Sequence, residues 1–207
     1  MQCGPVRYSA TSPQSAPKTL EVFPRLLERQ QDEIRELAIQ DVFRELTTDL
    51  DRNTKIVEDI LQAYSEGRKV IVLTERTGHL ESIQAGVTGK VENLFVLHGR
   101  MSKKQRAILI ETLEALPGDA PRVLLSTGKL IGEGFDHPPL DSLVLAMPIS
   151  WKGTLQQYAG RLHREHATKT DVRIYDYVDA GYPVLLRMWD KRQRGYKAMG
   201  YQMSQAI

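Results

Sequence analysis

The sequence predicts an α/β fold in which a parallel sheet is flanked by helices. Five short apolar runs follow one another along the chain, and helical patterns or loops separate them. The runs show little alternation of apolar and polar residues, which is typical of parallel strands covered on both faces. They are Lys69 to Leu73, Leu94 to Leu97, Arg122 to Leu125, Ser142 to Ala146 and Val172 to Val178.

Composition limits the kinds of protein this chain can be. Its 207 residues can form one domain with extensions, and no apolar run approaches the roughly 20 residues that span a bilayer, so we expect no membrane partner. Cys3 is the only cysteine, which excludes an internal disulfide and a cysteine-cluster zinc site. Because the first residues lack an apolar signal core, we expect a cytoplasmic protein. The net charge of +2 does not by itself indicate a nucleic-acid partner.

The part that precedes the first apolar run is predicted to be helical after an irregular start. Residues 1–26 form an arm with a strand-like run at Leu20 to Phe23, and apolar residues then recur at helical spacing from about Leu27 to Leu50. A second helix carries the stripe from Ile56 to Tyr64 and ends before Gly67. The expected division is an arm at 1–26, a domain at 27–181 and a basic helical extension at 182–207.

A further helix is predicted between the second and third apolar runs. Ser102 and Gln105 have the spacing of a capping box, in which each side chain satisfies a main-chain amide of the first turn. Leu109, Leu113 and Leu116 then place one apolar stripe on the helix that this box opens.

The C-terminal extension mixes basic and aromatic residues and is predicted to be helical. Such interleaving occurs on nucleic-acid-binding surfaces, but a capping helix with a solvated basic face is the favoured interpretation. The residues concerned are Arg187, Trp189, Lys191, Arg192, Arg194, Tyr196 and Lys197.

The strongest local pattern runs from Gln157 to Arg164 and has the form Q-x-x-G-R-x-x-R. At about 100° per residue, Gln157, Gly160, Arg161 and Arg164 fall on one helical face. Two guanidiniums held together suit a triphosphate, because their planar donors match phosphoryl oxygens, and the glycine leaves room for close approach. The alternative is a solvated face with two ordinary surface arginines. Leu155, Ala159 and Leu162 fall on the opposite face.

A glycine-rich segment, residues 126–136, follows the third apolar run directly. In open parallel sheets, ligands bind at the carboxyl ends of strands. Three glycines in this segment let main-chain amides approach a phosphate or a base, and the Thr127 hydroxyl can bond a phosphate oxygen. The alternative is a plain strand-to-helix loop.

These segments resemble the motifs of superfamily 2 helicases. Residues 126–136 look like motif V and residues 157–164 like motif VI, while residues 70–76 are similar to motif IV. The segment from Leu97 to Ser102 resembles the H-G-x-x-S sequence of the family. The resemblance covers roughly residues 68–180 and is nearest to bacterial DEAD/DEAH-box and type I or III restriction-like translocases rather than to true DEAD-box RNA helicases. It implies a RecA-like, P-loop NTPase-type fold and the second motor domain of an ATP-dependent helicase or translocase.

The resemblance also implies roles for individual residues. Arg164 would be the arginine finger that reaches the γ-phosphate, Arg161 would face the nucleotide, and Gln157 would help to orient it. Near the nucleotide would lie Glu133, Gly134, Asp136 and Gly160. The nucleic-acid track would be lined by Thr74, Gly99, Thr127 and Gly128. DNA is favoured over RNA as the track.

No G-x-x-x-x-G-K-[ST] sequence occurs in the chain, so we expect ATP and Mg²⁺ to be held mainly by a first RecA-like domain. That domain would be attached in cis or lie on another chain, and residues 1–26 would include its remnant. Asp32 to Arg35 imitate a DExx box, but they lie in a charged amphipathic helix. The isolated chain is therefore expected to be inactive.

Two alternatives remain open from the sequence. One is a stand-alone nucleic-acid-binding or regulatory module without ATP turnover, which would have no need for a nucleotide-facing arginine pair. The other is an unrelated Rossmann-like nucleotide- or sugar-binding domain, which lacks the expected G-x-G-x-x-G sequence. His163 and His166 have no third ligand nearby, so no metal site is predicted. His98 suits either a phosphate-side loop or a buried structural position.

Overall fold

The computed structural model of the chain describes residues 19–28, 37–127, 135–149 and 155–205. The strands are β1 (Thr19–Leu27), β2 (Lys69–Thr74), β3 (Leu94–Leu97), β4 (Arg122–Thr127), β5 (Ser142–Leu145), β6 (Asp171–Asp179) and β7 (Gln202–Met203). The helices are α1 (Ile39–Thr48), α2 (Leu50–Ser65), α3 (Thr77–Val87), α4 (Lys103–Glu114), α5 (Gln156–Leu162) and α6 (Pro183–Ala198).

The strands form one sheet in the order β3-β4-β2-β5-β6-β1-β7, and every pairing is parallel. The predicted fold class is therefore confirmed. The five apolar runs are β2 to β6, and every residue of β2 and β5 is buried. This burial on both faces explains why these runs show little alternation in the sequence.

Helices cover both faces of the sheet, and alternate residues of β6 contact the helices of one face or of the other. Tyr175 and Tyr177 point to the face where residues of α2 and α3, such as Ile60 and Ile83, complete one apolar cluster. Ile174 points to the other face and shares a second cluster with Leu113 of α4, with residues of α5 and with Trp189 and Tyr196 of α6. The C-terminal helix is therefore part of the core of the domain.

The N-terminal strand is longer than the sequence suggested. A short strand-like run was expected at Leu20 to Phe23, inside an irregular arm, but β1 pairs with β6 along all nine of its residues. Pro24 obscured it, because proline cannot donate to a sheet ladder. On its other side β1 pairs with β7 at Glu21 and Val22, and no strand of the described ranges pairs with that side at Pro24. The division of the chain at residue 27 stays a prediction.

The first helix was predicted from about Leu27 to Leu50, and the predicted start of this helix is wrong. Leu27 ends β1 and α1 begins at Ile39. Part of the predicted span, residues 29–36, lies outside the described residues. The Asp49 side chain accepts a hydrogen bond from the amide of Arg52 at 3.0 Å, so α2 begins directly after α1.

The capping box is confirmed: Ser102 accepts from the Gln105 amide, and the Gln105 side chain accepts from the Ser102 amide. The C-terminal extension is helical, as predicted, but its basic residues are not all solvated. Arg192 is 1% exposed because its guanidinium binds Asp176 of β6. The two-residue strand β7 was not predicted. No helix of the described ranges is long and apolar enough to cross a membrane.

Candidate functional site

The carboxyl ends of the strands meet at one edge of the sheet, because all strands are parallel. Thr74 at the end of β2 is in register with Thr127 at the end of β4, and Leu97 of β3 is in register with Ser126. Gly99 follows two residues after β3 and is exposed. Three of the four predicted track residues therefore lie along this edge, whereas Gly128 lies outside the described residues.

Thr74 differs from the other two in pointing into the protein. Its side chain is 1% exposed, and its hydroxyl lies 2.9 Å from Nδ1 of His79. Nε2 of His79 lies 2.8 Å from Oδ1 of Asn53, whose amide nitrogen donates to the carbonyl of Thr47. This chain of hydrogen bonds ties the end of β2 to α2 and to the end of α1. The role of Thr74 in nucleic-acid binding stays a prediction.

Helix α5 presents the two faces that its periodicity predicted. Gln157 and Gly160 are exposed, while Leu155, Ala159 and Leu162 are buried in the core. A Cβ atom added at Gly160 would meet no atom within 4 Å, so the space above this residue is open.

The prediction that Arg164 shares the helical face of Arg161 is wrong. Helix α5 ends at Leu162, and His163 is its C-cap. Arg164 lies in the turn that follows, where its amide donates to the carbonyl of Arg161 at 3.3 Å. The side chain of Lys169, which was not predicted to take part, donates to the carbonyl of Leu162 at the end of the helix and to that of Arg164 in the turn.

The arginines nevertheless face the same space. A cleft of about 690 Å³ is lined by Asp136, Gln156, Gln157, Gly160, Arg161, His163 and Arg164. At its rim, Nη2 of Arg164 lies 3.3 Å from Oδ2 of Asp136, and the two side chains are 63% and 42% exposed. The structure thus brings the end of the glycine-rich segment beside the arginine motif. Glu133 and Gly134 lie outside the described residues.

Arg161 also lines a small apolar pocket beside the cleft, together with Phe135, Leu140 and Tyr158. Burial and the nearby charge of Glu75, which follows β2, raise the pKa of Tyr158, while Arg161 opposes this shift. Arg161 therefore lines both the apolar pocket and the cleft.

Two further residues support the arginine motif and were missed. Tyr201, next to β7, places its hydroxyl 2.9 Å from Nε2 of His163, and the two rings stack. Lys169 donates to main-chain carbonyls, and burial lowers its pKa to about 8. A basic residue shortly after a helix is a known C-capping signal and could have indicated Lys169, whereas nothing local indicates Tyr201. No group of three His, Cys, Asp or Glu side chains in the described ranges could hold a metal ion.

The model of the helicase conserved C-terminal domain matches residues 52–166, more than half of the chain. The chain belongs to this family. It is a helicase C-terminal domain with a RecA-like fold, so the Rossmann-like alternative is wrong.

Similar proteins include two viral sequences. Uncharacterized protein 108L of invertebrate iridescent virus 3 is 38% identical over 81 residues, which are 38% of this chain and 71% of that protein. Transcript termination protein A18 of fowlpox virus is 27% identical over 136 residues, or 65% of this chain and 29% of that protein.

Solved structures show the same fold at low sequence identity. The structure of UvsW from T4 matches with a TM-score of 0.72 at 18% identity, over 92% of this chain and 42% of that chain. The C-terminal domain of the DEAD-box protein Dbp5 matches with a TM-score of 0.60 at 16% identity, over 91% and 89% of the two chains. This helicase C-terminal domain therefore spans less than half of the UvsW chain.

Proposed function

We propose that this domain is the second motor domain of an ATP-dependent nucleic-acid helicase or translocase, in which Arg164 acts as the arginine finger. The observation that carries the proposal is the cleft in which Arg161, Arg164, Gln157 and Gly160 stand together beside Asp136. Guanidinium groups stabilise the charge that develops on a transferring phosphoryl group. ATP is the substrate, and a first domain with a phosphate-binding loop would bind most of it.

The residues of the cleft fit a triphosphate. Arg161 lines both the cleft and the apolar pocket, whereas Arg164 is mostly exposed and its guanidinium pairs with Asp136. An exposed ion pair contributes at most about 1 kcal/mol, so a phosphate can replace the carboxylate of Asp136 at small cost. Since Gly160 has open space above it, a phosphate can approach the main chain of α5.

The nucleic-acid track is proposed for the adjoining edge of the sheet, at the ends of β3, β4 and β2. Thr127 and Gly99 lie there beside the cleft-forming elements, and contacts from hydroxyls and main-chain amides position a nucleic-acid backbone without reading its sequence. We propose DNA as the preferred track. We also propose that the whole motor hydrolyses ATP and that this domain alone does not.

The decisive experiment is Arg164→Ala in the motor that combines this chain with a domain carrying the phosphate-binding loop. We expect ATP turnover to fall by about 10³- to 10⁵-fold, as for other arginine fingers, while binding of a DNA duplex changes little in a fluorescence anisotropy assay. The matched control is Arg187→Ala on the exposed side of α6, which should keep full turnover. Unchanged turnover in Arg164→Ala would refute the assignment. Stronger stimulation by RNA than by DNA would overturn the choice of track.

A further inference from the structure

The turn that follows α5 is held by one side chain from beyond the arginine motif. The last carbonyls of a helix have no partner within the helix and need one from elsewhere. Here the Nζ atom of Lys169 donates to the carbonyl of Leu162 at 2.8 Å and to the carbonyl of Arg164 at 2.7 Å. The amide of Arg164 also donates to Arg161. The main chain of Arg164 is thus bonded at both its amide and its carbonyl.

The segment that carries Lys169 is itself hydrogen-bonded to the loop that precedes β4. Its amide donates to the carbonyl of His166 at 3.0 Å, and the hydroxyl of Thr168 donates to the carbonyl of Gly118 at 3.2 Å. His166 packs so closely on Gly118 that a Cβ atom there would lie 2.5 Å from the imidazole. Strand β6 begins at Asp171, so the turn is held between the sheet and the loop that precedes β4.

Lys169 is half-buried. Burial lowers its pKa to about 8, against the attraction of Asp141 and Asp136, which favours the charged form. Desolvating an ammonium group is unfavourable unless hydrogen bonds compensate for the lost water. The compensating bonds of Lys169 go to the two carbonyls that define where the Arg164 backbone lies, and Asp136 is also the partner of Arg164.

We propose that Lys169 is a positioning residue for Arg164: it fixes the main chain of the finger so that only side-chain torsions remain to be ordered when the guanidinium reaches the phosphate. This inference rests on the proposed function. A group that is already in place for the transition state loses less free energy to reorganisation during the reaction. Displacement by about 1 Å at such a site can reduce the rate by about 10²-fold.

The test compares Lys169→Met with Arg164→Ala in the two-domain motor. We expect Lys169→Met to lower kcat by about 10- to 100-fold, with KM for ATP changed by less than about threefold, because the finger acts in the transition state. The double variant should turn over ATP no more slowly than Arg164→Ala alone, since Lys169 acts through Arg164. Lys191→Met, on the exposed side of α6, is the control and should keep wild-type kcat.

Chemical rescue separates positioning from folding. In Lys169→Ala, added ethylamine should restore turnover in a saturable manner, because its ammonium group can donate to the freed carbonyls. Tetramethylammonium has no N–H and should not restore turnover.

The outcomes separate this inference from the proposed function. If Arg164→Ala abolishes turnover while Lys169→Met keeps wild-type kcat, or if the losses in the double variant are additive, the inference is overturned and the proposed function stands. If Arg164→Ala leaves turnover unchanged, the proposed function itself fails. If Lys169→Met unfolds, absence of amine rescue in Lys169→Ala counts against positioning.

Discussion

Asp176 and Arg192 form an ion pair between β6 and α6 in which both side chains are 1% exposed. The guanidinium donates to both carboxylate oxygens, at 2.8 and 2.9 Å, and to the carbonyl of Ile149. Tyr196 donates to the same carboxylate at 2.8 Å. Because these groups are buried, each depends on the others, and the segment that follows β5 is connected to the C-terminal helix through them.

We predict that Arg192→Met destabilises the domain by about 3 to 5 kcal/mol, because it leaves the charge of Asp176 buried without a counterion. Adding Asp176→Asn removes that charge and keeps an acceptor for Tyr196, so the double variant should be more stable than Arg192→Met alone. Urea unfolding measures both free energies. Arg187→Met, on the exposed side of the same helix, should change stability by less than about 0.5 kcal/mol. A double variant less stable than the single one would contradict this account.

Helices α2 and α3 approach each other closely at Gly86. A Cβ atom added there would lie 2.6 Å from Cγ2 and 3.2 Å from Cγ1 of Val57, and β-branched side chains in helices have one strongly preferred rotamer. Alanine in place of a helical glycine otherwise favours the helix by about 1 kcal/mol. The contact with Val57 therefore decides the sign of the effect.

We predict that Gly86→Ala destabilises the domain by about 1 to 3 kcal/mol, as overpacking of a closed contact does. In the Val57→Ala background the same change should cost much less, which a double-mutant cycle from urea unfolding would show. Gly78→Ala, in the first turn of α3, adds a Cβ atom that meets nothing within 4 Å and serves as the matched control. Equal losses from Gly86→Ala with and without Val57 would rule out the contact as the cause.

The elements that the sequence predicted are those whose signal is local. Strands β2 to β6 are near-continuous apolar runs because both faces are covered, and α5 shows its buried and exposed faces through the helical period. Strand β1 was underestimated because Pro24 and Arg25 interrupt its apolar pattern, although Arg25 is satisfied by Asp59 of α2 at 2.8 and 3.1 Å. Asp59, the partner of Arg25, is 34 residues away in the sequence, and no local pattern indicates this contact.

In the candidate site, too, only the features with a local signal in the sequence were predictable. The spacing of Gln157, Gly160 and Arg161 on one helical face follows from the period alone. The position of Arg164 does not follow from the period, because the helix ends at Leu162 and Lys169 binds the carbonyls of Leu162 and Arg164. The contact of His163 with Tyr201 spans 38 residues and depends on where α6 and β7 pack. Tertiary contacts of this kind set the final geometry of the arginine motif.

At the scale of the whole molecule, two buried histidines couple stability to pH. His79 is 1% exposed, and burial together with the charge of Arg52 lowers its pKa to about 3. His137 is 6% exposed, and burial together with the charge of Arg122, which donates to its Nε2 at 3.0 Å, lowers its pKa to about 4. Both imidazoles are therefore neutral in the folded protein at pH values where an unfolded chain protonates them.

As the pH falls below about 6.5, the unfolded chain binds protons that the folded protein does not bind until about pH 4 or 3, so stability decreases across this window. Each histidine should contribute a loss of about 2 kcal/mol at pH 5. His79→Gln and His137→Gln should each reduce the slope of the unfolding free energy against pH, and the double variant should reduce this slope further. Urea unfolding between about pH 7.5 and 4.5 at constant ionic strength measures the slope. Burial also lowers the pKa of His163 and His166, so some slope remains in every variant. Wild-type slopes in both single variants would show that these imidazoles are protonated in the folded protein.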